Sequence, residues 1–148
     1  TDAGSSDLIS STEGVLYFEV AALTSINNFE SISLSNGGTT ERIRFMLDSI
    51  ENRILIQVET GNGSGFFRNY TLSDITAFNK IAIKYKQDDY AIWINGVEEI
   101  TVPSAAVPTL NELNFTAGGA GSKFGGNVKC VAVFQEALTD AELTALTS

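Results

Sequence analysis

At 148 residues the chain is long enough for one hydrophobic core, and a hydrophobic content of 43% is ordinary for a globular protein. Its formal net charge of −9 argues against nucleic acid as a partner, because clustered Lys and Arg supply most of that affinity. The same charge argues against an anionic membrane surface, and no apolar run is long enough to span a bilayer. Histidine is absent and Cys130 is the only cysteine. That excludes Ser-His and Cys-His nucleophiles, histidine-ligated metals, cysteine zinc sites and an internal disulfide.

Residues 1–12 (TDAGSSDLISST) are small and polar, and read as a linker or lead-in that becomes strand near Asp7 to Ile9. A start at Thr1 without methionine reads as a mature or excised piece of something longer. Residues 13–148 read as a single domain in which short alternating runs recur about every ten residues with turn residues between them, the spacing of an all-β sandwich. The runs are Val15–Ala22, Glu30–Ser35, Arg42–Asp48, Arg53–Thr60, Gly65–Leu72, Lys80–Lys86, Tyr90–Asn95, Glu98–Val102, Glu112–Ala117 and Asn127–Phe134. Pro103 and Pro108 bracket an extended crossover loop. Cys130 falls in the last, apolar run, where a lone thiol is expected to act as a small buried hydrophobe. After that run, Thr139 and Glu142 form a capping box and Leu138 and Leu143 a hydrophobic staple, which predicts one short C-terminal helix laid on the sandwich.

Three hairpins can be registered. A loop at Ser49 to Asn52 sets Leu47 opposite Ile54, Phe45 opposite Ile56 and Ile43 opposite Val58, so the large apolar residues share one side. Asn62-Gly63, read as a type I′ turn, sets Val58 opposite Phe67 and Gln57 opposite Arg68. A turn at Asp88-Asp89 sets Tyr85 opposite Ile92 and Ile83 opposite Ile94. The other side of these strands then carries Arg44, Gln57, Arg68, Tyr70, Phe66, Lys84 and Trp93. Seven of the nine basic residues lie between 42 and 86, either as solvated strand charges or lining a face that meets a polar or anionic ligand. Trp93, Tyr70 and Phe66 surrounded by Arg44, Arg68, Lys84 and Gln57 suit a sugar: the rings cover its C–H face and the polar groups answer its hydroxyls. The alternative is that Trp93 packs under a loop or a neighbouring domain.

The stretch Asn79 to Glu99, with Trp93-Ile94-Asn95-Gly96-Val97 at its centre, resembles the signature hairpin of laminin-G-like, concanavalin A-like jelly-roll modules. Asn95-Gly96 supplies the positive φ of its tight turn. The opening strand Glu13 to Val20 and the closing Phe124-Gly125-Gly126-Asn127-Val128, Ala137-Leu138-Thr139 and Glu142-Leu143 resemble the same modules, so the likeness covers nearly the whole chain. It implies a two-sheet antiparallel jelly roll and a lectin-like role. Such modules occur in bacteriophage tail and virion proteins and beside catalytic domains of secreted bacterial polysaccharide-degrading enzymes, which implies an extracellular or virion setting and a polysaccharide or cell-surface glycan as partner. Many relatives also hold a structural calcium ion; Asp2, Asp7, Asp88 and Asn127 are its conceivable oxygen donors here.

Catalysis is not expected. The Glu-x-Asp-x-x-Glu arrangement of the related hydrolases is missing, and the acidic pairs Asp88-Asp89 and Glu98-Glu99 fall at turns or on adjacent residues facing opposite ways. The related lyases use a histidine that this chain lacks. The expected function is a non-catalytic carbohydrate-binding module. The alternative is a structural or oligomerisation domain of a virion protein, whose exposed aromatics would be subunit contacts.

Overall fold

The computed structural model describes residues 6–119, 121 and 123–148. Ten strands form: β1 (Glu13–Ala22), β2 (Ser31–Ser35), β3 (Arg42–Leu47), β4 (Arg53–Glu59), β5 (Phe66–Thr71), β6 (Asn79–Lys86), β7 (Tyr90–Ile94), β8 (Val97–Val102), β9 (Glu112–Asn114) and β10 (Gly126–Phe134). One helix, α1 (Asp140–Thr147), follows. The strands make two five-stranded antiparallel sheets in the orders β10-β1-β6-β7-β8 and β5-β4-β3-β2-β9. They are the two layers of a jelly-roll sandwich. We call them the helix-side sheet and the open sheet.

Period-two alternation builds the core between them. Leu16, Phe18, Ile81, Ile83, Tyr85, Ile92 and Ile94 face inward from the helix-side sheet, and Ile32, Leu34, Ile43, Phe45, Ile54, Ile56 and Val58 from the open sheet. Phe18 and Phe45 meet across the interface with ring centroids 4.5 Å apart. Burying each such side chain is worth about 1.5–3 kcal/mol, which the conformational entropy of the chain largely offsets.

The β3–β4 register is the expected one: Ile43, Phe45 and Leu47 oppose Val58, Ile56 and Ile54. The β6–β7 hairpin differs by two residues, with Ile83 opposite Ile92 and Ile81 opposite Ile94. Its turn is Gln87-Asp88, closed by the Asp89 N–H donating to Lys86 O at 3.0 Å. A shift of two keeps every side chain on its face. The β4–β5 hairpin differs by one, with Val58 opposite Phe66 and Gln57 opposite Phe67. Here Gly63 is left-handed (φ 77°) while Asn62 is not, so the type I′ turn does not form. The Gly63 N–H donates to Thr60 O at 2.9 Å, and the Ser64 N–H donates to Thr60 Oγ1 at 2.8 Å and Asn62 Oδ1 at 3.0 Å. The longer loop brings Gly65 so close to β4 that an added Cβ would stand 2.0 Å from Val58 O. This odd-numbered loop turns every side chain of β5 to the opposite face.

At the N-terminus the expected strand near Asp7 is instead a 3₁₀ turn, Ser6–Leu8. Cys130 is exposed rather than buried. It sits on the edge strand β10, and α1 covers β6, β7 and β8 instead. The helix cap forms as expected: Thr139 Oγ1 accepts from the Glu142 N–H at 3.4 Å, and Glu142 Oε2 accepts from the Thr139 N–H at 2.8 Å. The Thr139 N–H and hydroxyl, both donating to Glu142 Oε2 at 2.8 Å, hold that carboxyl below its ordinary pKa. Thr139→Ala is expected to destabilise the protein by about 1 kcal/mol. Thermal unfolding would then shift down by roughly 3 °C, and an unchanged melting temperature would show that the cap contributes nothing.

Candidate functional site

The seven residues of the expected platform occupy three places. Trp93 and Lys84 belong to the outer face of the helix-side sheet. Trp93 lies outside the inter-sheet core but is only 7% exposed, packed with Val15, Tyr17, Ala82, Ala91 and Leu143 beneath α1, with Leu138 and Leu146 closing over the cluster. A sugar cannot stack on this ring, so the platform built on Trp93 is corrected to packing under the helix. Lys84 is buried as well and paired with Asp89 at 2.9 Å.

Phe66, Arg68 and Tyr70 turn to the core side of the open sheet's edge, because β5 is one residue out of the expected register. Phe66 meets Tyr90 edge to face at 5.0 Å, and the Arg68 guanidinium lies 5.7 Å from the centroid of the Phe66 ring. Tyr70 is half-buried against the core, and burial, with Glu99 next, raises its pKa.

Arg44 and Gln57 remain side by side on the outer face of the open sheet. The strand pairings extend them into a row that crosses all five strands: Phe67, Gln57, Arg44, Ser33 and Asn114. With strands about 4.8 Å apart, Phe67 and Arg44 stand roughly 10 Å from each other, the span of two sugar rings. Phe67 is 49% exposed. It is the aromatic that the predicted register had turned inward. Its signal in the sequence was the length of the Thr60–Gly65 loop, which the Asn62-Gly63 pair masked.

The polar groups of this face are held by their neighbours. Glu59 takes the Arg42 Nε–H on Oε2 at 2.5 Å and the Gln57 amide on Oε1 at 3.1 Å, which orients Gln57. Arg42 also donates to Ala117 O at 2.5 Å, and Ser33 Oγ donates to Thr116 O at 2.9 Å. These two bonds fasten the loop after β9 over the β2 side of the sheet; of the row, Phe67 is exposed and Gln57 and Arg44 are half-buried, while Ser33 is covered. Arg44 donates from Nε to Ser31 Oγ at 2.8 Å and from Nη2 to Phe29 O at 3.1 Å. Phe29 is left-handed (φ 58°), a conformation uncommon for a large side chain and held here by these contacts. Beside the row, a cleft of about 570 Å³ is lined by Thr39, Thr40, Arg42, Gln57, Glu59 and Phe67.

Two of the oxygen donors considered for calcium, Asp88 and Asn127, lie at opposite ends of the helix-side sheet. Asp88 lies in the turn at the end of β6 that pairs with the start of β1, whereas Asn127 pairs with Ala21 at the far end of β1. Asp2 lies outside the described residues. Among the described residues, no three His, Cys, Asp or Glu side chains form a group able to hold a metal ion.

No protein-family model and no curated protein sequence matches the chain. Solved structures do match in fold. The CBM40 domain of the Ruminococcus gnavus IT-sialidase, bound to α2,3-sialyllactose, aligns with a TM-score of 0.74 at 17% identity, over 94% of this chain and 84% of that one. Domain 4 of AbnA, a GH43 extracellular arabinanase from Geobacillus stearothermophilus in complex with arabinotriose, aligns at 0.73 and 13% identity, over 95% and 69% of the two chains. The binding domain of botulinum neurotoxin DC, in complex with rat synaptotagmin II, aligns at 0.63 and 12% identity, over 93% and 35%. At these identities the likeness establishes the shared sandwich, while ligand chemistry has to be argued from this chain's own residues.

Proposed function

We propose that this chain is a non-catalytic glycan-binding module of an extracellular or virion protein, and that its ligand lies across the open sheet on Phe67, Gln57 and Arg44. The observation that carries this reading is the row itself: an exposed ring, an oriented amide and a guanidinium on adjacent strands, beside a cleft. Phe67 offers an apolar surface to the C–H face of a sugar ring, and Gln57 and Arg44 offer donors to its oxygens. Glu59 is the carboxylate bonded to Gln57, and both its oxygens are already engaged, which suits positioning better than acid–base work. Structural neighbours solved with sialyllactose and with arabinotriose lend support to a saccharide ligand.

The test is binding to a glycan array, followed by titration calorimetry on the retained oligosaccharides. Phe67→Ala is expected to weaken binding about tenfold, equivalent to about 1.4 kcal/mol, without lowering the melting temperature. Binding unaffected by both Phe67→Ala and Gln57→Ala would remove the open sheet as the ligand face. A self-associated protein that retains no glycan would favour the oligomerisation-domain alternative instead.

A further inference from the structure

Most cations of the described structure have an acidic partner. Arg42, Arg53, Lys84, Lys86 and Lys129 pair with Glu59, Asp48, Asp89, Glu13 and Glu19. With eighteen acidic side chains to nine basic ones, counter-ions are plentiful. Arg44, half-buried at the centre of the ligand face, nevertheless has none among the described residues. Its two hydrogen bonds go to neutral oxygens, Ser31 Oγ and Phe29 O. A partly desolvated guanidinium without a counter-charge is costly to keep.

The geometry shows which part of Arg44 is unused. A guanidinium carries five N–H donors in a planar fork. The side edge, Nε and Nη2, is satisfied by Ser31 and Phe29, and that pair of contacts fixes the plane of the group. The end edge, formed by Nη1 and the second Nη2 hydrogen, has no acceptor among the described residues. Its neighbour Arg42 is neutralised by Glu59, so the excess positive charge of the row is Arg44's own. Burial, and then Arg42, lower the Arg44 pKa from its ordinary value; Glu59 opposes them from a distance, its two oxygens already taken by Arg42 and Gln57.

Resting on the glycan-binding reading of the same face, we infer that the ligand is an acidic glycan whose sugar carboxylate docks end-on against Nη1 and Nη2 of Arg44 while an adjoining ring covers Phe67. A carboxylate presents two coplanar oxygens at the spacing of the free edge, which permits a bidentate pair. Lys in place of Arg44 would keep the charge and lose the fork.

The experiment uses the whole chain and calorimetric titration with matched probes: trigalacturonate against its methyl ester, α2,3-sialyllactose against lactose, and 3′-sulfolactose as the sulfate arm. At least one carboxylated probe is expected to bind about 10- to 100-fold more tightly than its neutral counterpart, the range of a charge-assisted hydrogen-bonded pair. Arg44→Gln should erase that difference, and Arg44→Lys should restore only part of it. Because Arg44 is half-buried and bonded to Ser31 and Phe29, thermal unfolding of both variants is measured alongside, and binding is compared at a temperature where each is folded.

Neutral and acidic probes of equal affinity, both weakened by Phe67→Ala, would overturn the carboxylate assignment and leave the glycan-binding reading intact. A preference for 3′-sulfolactose over both carboxylated probes would overturn it in favour of a sulfated ligand. An acid preference that survives Arg44→Gln would place the anion elsewhere and also overturn it. Absence of binding to every probe at millimolar concentration would count against both readings.

Discussion

Leu143→Ala is expected to destabilise the protein by about 3 kcal/mol and to shift the fluorescence of Trp93 to longer wavelength. Leu143 is fully buried and is the apolar anchor of α1, which has eight residues. A helix that short has little stability apart from its docking, so losing the anchor affects the whole element. Beneath it lies the only tryptophan, and emission therefore reports directly on whether the helix is seated. The Gly96 N–H donating to Thr147 Oγ1 at 3.1 Å ties the last turn of the helix to the β7–β8 turn, so partial release should begin at the N-terminal end. Glycan affinity should survive the substitution, because α1 and the open sheet lie on opposite sides of the sandwich. Unchanged emission and unchanged unfolding together would mean that Trp93 is shielded by something other than the helix.

A comparable loss is expected from alkali. Tyr85 and Tyr90 are fully buried and donate their hydroxyls to Ser10 O at 3.0 Å and Ala106 O at 2.9 Å. Burial pushes the Tyr85 phenol up to about 12, and burial together with Tyr85 pushes Tyr90 up as well. In the unfolded chain both ionise near pH 10. Below that pH both states hold the protons and the full stability is present. As pH rises past 10 the unfolded state releases protons that the folded state keeps, so stability falls at about 1.4 kcal/mol per unit for each tyrosine. Between pH 10 and 12 the pair is expected to remove roughly 4 kcal/mol. Denaturant unfolding across that range would measure the loss, and phenolate absorbance should rise in a step that coincides with unfolding. Smooth ionisation of all four tyrosines in a folded protein would contradict this account.

The capping box was readable residue by residue because each of its bonds joins groups three positions apart. The β3–β4 register was readable for a related reason: alternation sets Ile43, Phe45 and Leu47 on the buried face, and the short Ser49–Asn52 loop fixes which residues of β4 they oppose. The left-handed Asn95-Gly96 turn (φ 49° and 90°) likewise follows from the two residues alone. Arg44 and Gln57, which stand on that well-defined hairpin, were correctly set side by side.

The errors share another origin. Asn62-Gly63 suggests a tight turn, but hydrogen bonds from Ser64 to Thr60 and Asn62 select a longer loop, and its odd length moves Phe67 into the row and Phe66, Arg68 and Tyr70 out of it. Alternation could not correct the slip, since β5 carries aromatic and polar residues on both faces. Trp93 illustrates a second limit. Strand parity sets it outside the inter-sheet core, as it is, but parity says nothing about which outer face receives a third layer.

Local bonding and apolar alternation, both written within short stretches of chain, therefore decided the strands, the helix and the sandwich. Loop parity and the docking of α1 depend on burial summed over residues far apart in sequence. Those long-range terms determined which ring meets solvent and which guanidinium keeps a free edge.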